Sequence, residues 1–317
     1  MLLRIAGILL SIATWVVAVG ASAEDAGPGL ALRWLGVAGF SVSDGETVLL
    51  HDPYLSRPGL LATLFRRVRP DVGLLERWLD PGGPAPEAAS ARTILIGHSH
   101  FDHLGDAPWL ADRIGATVAG SGTTVAIAQG YGLPGERTRR VDPGDEFDVG
   151  PFEIRVVASR HAAVMFGRVP LTGQVVEPPI EPIHALSFKL GDARGYLITH
   201  LPSGLRVYVT SSAAVDRPAL EALRDAGIDV DALLAATPGR DPDYVPSLIE
   251  LLRPRIVVPH HFDDFFLPIS EPTAAAATSP EDLELFAEEV RAASERFGTD
   301  TEVRRLGLFE RLPLVAD

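Results

Sequence analysis

His98-Ser99-His100-Phe101-Asp102-His103 follows directly on the apolar run Thr93-Ile94-Leu95-Ile96-Gly97. The run is predicted to be a buried strand that stops at His98, and a helix is predicted to start near Ala107. Three of the nine histidines of the chain therefore fall in one strand-to-helix loop, with Asp102 among them. Such a loop can aim several side chains at one point. His98 and His100 are two residues apart, so both face the same way if strand geometry persists that far.

Composition narrows what this cluster can do. Cysteine is absent, which removes disulfide frameworks, zinc ribbons and cysteine nucleophiles. Neutral imidazoles and a carboxylate are then the ligands that zinc accepts. The 317 residues, 46% hydrophobic and 22% charged, are ordinary for a globular chain. The formal net charge of −14 argues against nucleic acid or an anionic lipid surface as a partner. Asn is absent and Lys189 is the only lysine, a bias that fits the codon usage of a GC-rich genome.

Outward from the cluster, short apolar runs alternate with turn signals. Strands are expected at 31–35 and 47–50, with Asp44-Gly45 as the turn between them. An insertion with helical pieces follows from 54 to 92. Further strands are expected at 117–119, 153–157, 185–189, 195–199, 206–210, 232–236, 256–259 and 303–309. Helices are expected after Gly120-Ser121-Gly122, after Asp216-Arg217-Pro218, over 244–252 and after Ser279-Pro280-Glu281-Asp282. Sheets with helices packed outside them are the architecture this order suggests.

The N-terminus is a separate reading. Arg4 is the only charged side chain in residues 1–23. An apolar run over 5–20 and Ala21-Ser22-Ala23 follow, the pattern of a cleaved secretory signal peptide. The apolar run is shorter than the ~20 residues that comfortably span a bilayer. The expectation is a signal peptide over 1–23, one domain over 24–317, a periplasmic or secreted location, and no stable membrane insertion after cleavage. An uncleaved anchor is the alternative.

His98-x-His100-x-Asp102-His103 resembles the signature of the metallo-β-lactamase superfamily. Asp52 at the end of an early strand, His161 at a strand end and His261 after 256–259 resemble its other motifs in order. Leu50-His51-Asp52-Pro53 and Val258-Pro259-His260-His261 are most similar to the ascorbate-phosphate lactonase-like branch. The resemblance covers residues 31–266. It implies an α/β fold, the four-layer αβ/βα sandwich, with metals at one edge between two sheets. It also implies two metal positions: His98, His100 and His161 for one, Asp102, His103 and His261 for the other. Three imidazoles leave a fourth position open, the arrangement of a catalytic zinc whose water loses its proton near neutrality. Asp102 would hold the resulting hydroxide in line for attack.

One position departs from the family. Ser212, in Val209-Thr210-Ser211-Ser212-Ala213, falls where a bridging aspartate normally stands. A neutral hydroxyl cannot bridge two divalent cations as a carboxylate does. One zinc is therefore expected to bind tightly and a second more weakly. Asp52 reads as a residue orienting a metal-bound imidazole, or else as a turn residue before Pro53. His261 is preferred over His260 as the ligand. His51, His184 and His200 have no partner visible in the sequence. Phe262, Phe265 and Phe266 read as core packing or as an apolar wall beside the metals.

The functional expectation is an exported hydrolase acting on a small molecule through an ester, lactone, amide or phosphodiester bond. The alternatives are a silent metal-binding protein of the same fold and a mononuclear iron oxygenase. Metal analysis and a substrate screen separate them.

Overall fold

Adjacent residues of one strand point into different cores, and that alternation builds the layers. In the computed structural model, which describes residues 29–180, 182–270 and 275–316, Leu49 joins a central core and Leu50 an outer one. In the same way Val207 and Val209 face the centre, while Tyr208 faces a second outer layer.

The first sheet holds β1 (Ala31–Gly36), β2 (Gly39–Ser43), β3 (Val48–His51), β4 (Ala91–Leu95), β5 (Thr117–Gly120) and β6 (Thr138–Arg140) side by side in chain order. The second holds β7 (Glu146–Val149), β8 (Phe152–Arg160), β9 (Arg194–His200), β10 (Arg206–Thr210), β11 (Ala214–Val215), β12 (Ala232–Ala236), β13 (Ile256–His260) and β14 (Glu302–Val303). The chain then returns to the first sheet, where β15 (Arg311–Pro313) pairs antiparallel with β1. The inner faces meet through Trp34, Phe40, Leu95, Ile154, Tyr196 and Leu234.

Helices cover both outer faces. On the first sheet lie α2 (Val72–Leu79), α4 (Ala107–Ile114) and α5 (Gly122–Gly130), preceded by the short exposed α1 (Leu60–Phe65) and the single turn α3 (Phe101–Leu104). On the second lie α6 (Arg217–Asp225), α7 (Tyr244–Leu252) and α8 (Pro280–Phe297). Ser121, Asp216 and Ser279 cap α5, α6 and α8 by accepting hydrogen bonds from amides three residues on, as the sequence signals indicated. This is the four-layer αβ/βα sandwich.

Three local expectations are corrected. The strand expected over 185–189 is a single 3-10 turn, Ala185–Ser187, in which the Ser187 amide donates to the His184 carbonyl. Ala185 and Phe188 bury into the outer core from that turn, so burial alone produced the strand-like pattern. The last strand is not 303–309: β14 ends at Val303, and β15 begins at Arg311. β2 was missed, and the first hairpin turns at Val37 and Ala38, between Gly36 and Gly39 and ahead of Asp44-Gly45. The expected signal peptide lies outside the described residues. Among the described residues no helix is long and apolar enough to cross a membrane.

Candidate metal centre

The strand directions put one end of both sheets in register. β3, β4 and β5 run parallel, as do β10, β12 and β13. The segments leaving these strands carry Asp52 after β3, His98 after β4, Ser211 and Ser212 after β10, and His261 after β13. β8 delivers His161 to the same edge. Residues far apart in sequence thus converge because each follows a strand's C-terminal end.

Two donor groups result. His98, His100 and His161 form one, and Asp102, His103 and His261 form the other. Within each, one ligand atom per residue lies within 4.8 Å of the others. His98 Nε2 and His100 Nδ1 face each other at 3.0 Å. The remaining nitrogens of these two rings, His98 Nδ1 and His100 Nε2, are buried without a hydrogen-bond partner. His161 Nδ1 donates to the Ala162 carbonyl at 2.7 Å, which leaves the Nε2 lone pair free as a donor atom. His103 Nδ1 donates to Asp52 Oδ2 at 2.7 Å, which likewise frees its Nε2. That nitrogen lies 3.6 Å from Asp102 Oδ2, and His261 Nε2 lies 3.3 Å from the same oxygen. Buried, mutually facing imidazole nitrogens with a carboxylate beside them fit a divalent cation of zinc type.

The electrostatics divide the two groups. Burial first, and then the neighbouring imidazoles, pushes His98 well below the usual histidine range. Burial likewise lowers His100 to about 3, although Asp102 works against it. Burial lowers His161 to about 4. These three rings are neutral near pH 7, the form that ligates metal. In the second group burial again opposes charge, but the partners win. Asp102 is held well below the carboxylate range by His103 and His261. His103 is raised because Asp102 and Asp52 outweigh its burial.

The supporting shell is built with strained backbone. His261 adopts φ 61°, Asp52 φ 40° and Val37 φ 51°, all in the left-handed region that side chains rarely adopt. Hydrogen bonds fix them there. The His261 amide donates to the Val37 carbonyl at 2.8 Å, and the Val37 amide donates to the Asp263 carboxylate at 3.1 Å. Arg57 Nη2 donates to Asp263 Oδ2 at 2.6 Å, with both side chains buried. Asp52 Oδ1 accepts from the Gly97 amide at 2.8 Å, which ties β3 to the loop that carries His98.

The remaining sequence candidates are placed as follows. Ser212 Oγ accepts from the Ala162 amide at 3.0 Å, beside His161. His260 is buried and points away from the cluster, edge-on to Phe40. His51 donates through Nδ1 to the Ala38 carbonyl, and its Nε2 accepts from Ser211 Oγ at 3.2 Å. His200 pairs with Ser203, and His184 is exposed. Phe262 packs on Trp34 in the central core, whereas Phe265 meets the His261 ring edge-on. Sequence reading missed Ser211, Arg57 and Asp263. Asp263 alone carried a signal, two residues after His261 in a run that reads His260-His261-Phe262-Asp263-Asp264.

Two back-to-back sheets with a histidine and aspartate cluster at their strand ends define an αβ/βα sandwich of the metallo-β-lactamase type. A family model described as the beta-lactamase superfamily domain matches residues 48–262, and the chain belongs to that superfamily. The match does not single out the lactonase-like branch. The chain is similar to a UPF0173 metal-dependent hydrolase of Pyrobaculum arsenaticum, 27% identical over 246 residues, which are 76% of this chain and 88% of that protein. It is similar in fold to Igni18, a metallo hydrolase from Ignicoccus hospitalis, with a TM-score of 0.58 at 18% identity over 90% of this chain and 98% of that one. It also resembles CmlA, a diiron β-hydroxylase from Streptomyces venezuelae, with a TM-score of 0.57 at 15% identity over 92% of this chain and 55% of that one. At these identities the two structures share the fold alone.

Proposed function

We propose that the protein is an exported, zinc-dependent hydrolase of a small-molecule substrate, with one metal held tightly by His98, His100 and His161. The observation that carries this reading is the convergence of three neutral imidazoles, two of which, His100 and His161, lie with Asp102 on the floor of an open cleft. The UPF0173 relatives, named as metal-dependent hydrolases, support it. A bound divalent metal supplies acidified water and a Lewis acid for a carbonyl or phosphoryl oxygen.

The protein's own groups do the rest. Asp102 stays ionised and belongs to the second donor group, placed to hold a water by hydrogen bond and to take its proton. Asp52 fixes the His103 ring so that Nε2 faces Asp102. Ser212 supplies a neutral oxygen where a carboxylate would join the two positions. Asp102, His103 and His261 therefore form a weaker second position, filled at raised metal concentration.

The test is His100→Ala, which removes one of three ligands without touching the sheets. Elemental analysis of purified protein should show about one zinc in the native chain and little in the variant, with essentially all hydrolysis of esters, lactones, amides and phosphodiesters lost. Iron in place of zinc, or full activity in the variant, overturns the reading. Export rests on Arg4, the apolar run and Ala21-Ser22-Ala23. N-terminal sequencing of the protein from its producing cell should begin at Glu24, and an intact Met1 on cytoplasmic protein refutes it.

A further inference from the structure

A cleft of about 560 Å³ opens over the two donor groups. That size falls within the ~300–1,000 Å³ of small-molecule sites. Its floor is polar: His100, Asp102, His103, His161 and His261. Its walls are not. Leu64 of α1, Met165 and Leu171 of the loop after β8, Leu186 of the 3-10 turn, and Phe265 and Phe266 after β13 enclose it. Apolar exposure continues outward on the same elements. Leu61 and Phe65 of α1 are exposed, and so is Phe166 beside Met165. Large apolar side chains on several elements around one opening mark a ligand groove rather than scattered surface residues.

Charge is as informative as apolarity. Among the described residues that line the cleft there is no Lys or Arg. Arg57, just behind the wall, is engaged by Asp263, and Arg240 by Asp282 and Glu289. Arg168 of the loop after β8 is exposed and outside the lining. The charged side chains in the wall are acidic, Asp263 and Asp264. An anionic group on the substrate, away from the reacting bond, would lose water there and meet no cation. A neutral aliphatic chain loses only unfavourable contact with water.

We propose that the site takes a neutral carboxylic ester or lactone with an aliphatic chain, the reacting carbonyl over the histidine cluster and the chain between α1, the loop after β8 and Phe266. This inference rests on the hydrolase reading for the reaction, but not for the binding. Water oxygen bonds to the acyl carbon, and the acyl C–O bond breaks with its electron pair going to the alcohol oxygen. That oxygen takes the proton released by the water. The products are a carboxylic acid and an alcohol, joined in one hydroxy acid when a lactone opens, and no oxidant or reductant is needed. A carboxylate-bearing lactam brings an anion, away from its reacting bond, for which the described residues of the walls offer no Lys or Arg.

Two measurements separate the binding claim from the reaction. In the first, methyl ketones from 2-butanone to 2-undecanone, which mimic esters without being hydrolysed, are titrated calorimetrically into the metal-free full chain. Affinity should rise by up to about fourfold per added methylene, the equivalent of burying one CH₂ group. Decanoate should bind more weakly than 2-undecanone. Leu186→Arg, on an exposed part of the wall, should flatten the series and reverse that order. A flat ketone series, or decanoate preferred by the native protein, overturns the proposal. In the second, zinc-loaded protein is given ethyl esters of rising chain length, benzylpenicillin and bis(p-nitrophenyl) phosphate. kcat/KM should rise with ester chain length. A larger rate enhancement on the phosphodiester overturns the substrate class and leaves the hydrolase reading standing. Ketone binding that follows chain length with no substrate turned over supports the ligand class and sinks the hydrolase reading.

Discussion

Asp52 Oδ2 accepts a hydrogen bond from His103 Nδ1 at 2.7 Å, with both side chains buried. The bond fixes both the tautomer and the angle of a ring whose other nitrogen faces Asp102 and His261. The same carboxylate accepts the Gly97 amide through its other oxygen. Burial pushes Asp52 toward the neutral acid, yet His51 and His103 hold it below the usual carboxylate range. It stays ionised, and its charge draws His103 into place.

Asp52→Asn keeps an acceptor for the Gly97 amide and removes the charge. Zinc affinity at the Asp102, His103 and His261 position should fall by about 10–100-fold, the scale on which such outer partners act. The three-histidine position should change little. Calorimetric zinc titration of both proteins reads this directly. Equal loss at both positions would mean that Asp52 supports the whole edge rather than one ring.

Ser212→Asp puts a carboxylate at the cleft position, next to Ala162 and His161, where the superfamily carries a bridging aspartate. Two cations in a two-metal site stand roughly 3.5–4 Å apart and repel strongly without a bridging anion. The variant should bind the second zinc about tenfold more tightly or better, with the first unaltered. Zinc titration with elemental analysis checks it. Two equally tight metals in the native protein would show that another group has taken the bridging role.

Metal-free protein should lose stability as pH falls. Histidine in an unfolded chain titrates near 6.5. Folded His100 and His161 stay neutral to about 3 and about 4, and burial also lowers His98, His51 and His260. Between about pH 6.5 and 4 the unfolded chain binds protons that the folded chain refuses. This contribution is present above pH 6.5 and is lost on acidification. His103 acts oppositely, since its raised pKa adds stability below pH 6.5 that is lost as pH rises. Five lowered rings outweigh one raised ring, so Tm should drop from pH 7 to pH 5. Imidazole NMR on the same samples should show His103 titrating above 6.5 while His98, His100 and His161 stay neutral. Titration of those three near 6.5 would refute the burial argument.

Gly97→Ala tests how closely β4 and β10 approach at the site. A Cβ at position 97 would fall on Ser211 Oγ and crowd Asp52 Oδ2. Overpacking of this kind costs about 1–3 kcal/mol. Ser211→Ala in the same chain should recover part of the loss, because it removes the clashing oxygen. Denaturant unfolding of the single and double variants measures both. An unchanged midpoint for Gly97→Ala would show that the edge yields without strain.

The sequence by itself determined much of this molecule. Strand-length apolar runs, caps such as Ser279 and the spacing His98-x-His100-x-Asp102-His103 act over a few residues, so they are legible without neighbours. The strand pattern over 185–189 misled because buried residues at Ala185 and Phe188 look alike whether a strand or a 3-10 turn delivers them. β2 was lost because its turn rests on Gly36 and a left-handed Val37, a conformation stabilised by the distant Asp263. The resemblance favoured His261 over His260, but only the tertiary structure supplies the reason that His261 enters the cluster and His260 leaves it. The φ of 61° at His261, held by the Val37 carbonyl, rotates that residue out of the β13 alternation. It alone also showed that the cleft walls are mostly apolar and that the described residues lining them include no Lys or Arg. Leu64, Met165, Leu186 and Phe266 come from four separate segments, and their shared surface arises only when the two sheets pack and bring those segments around one opening.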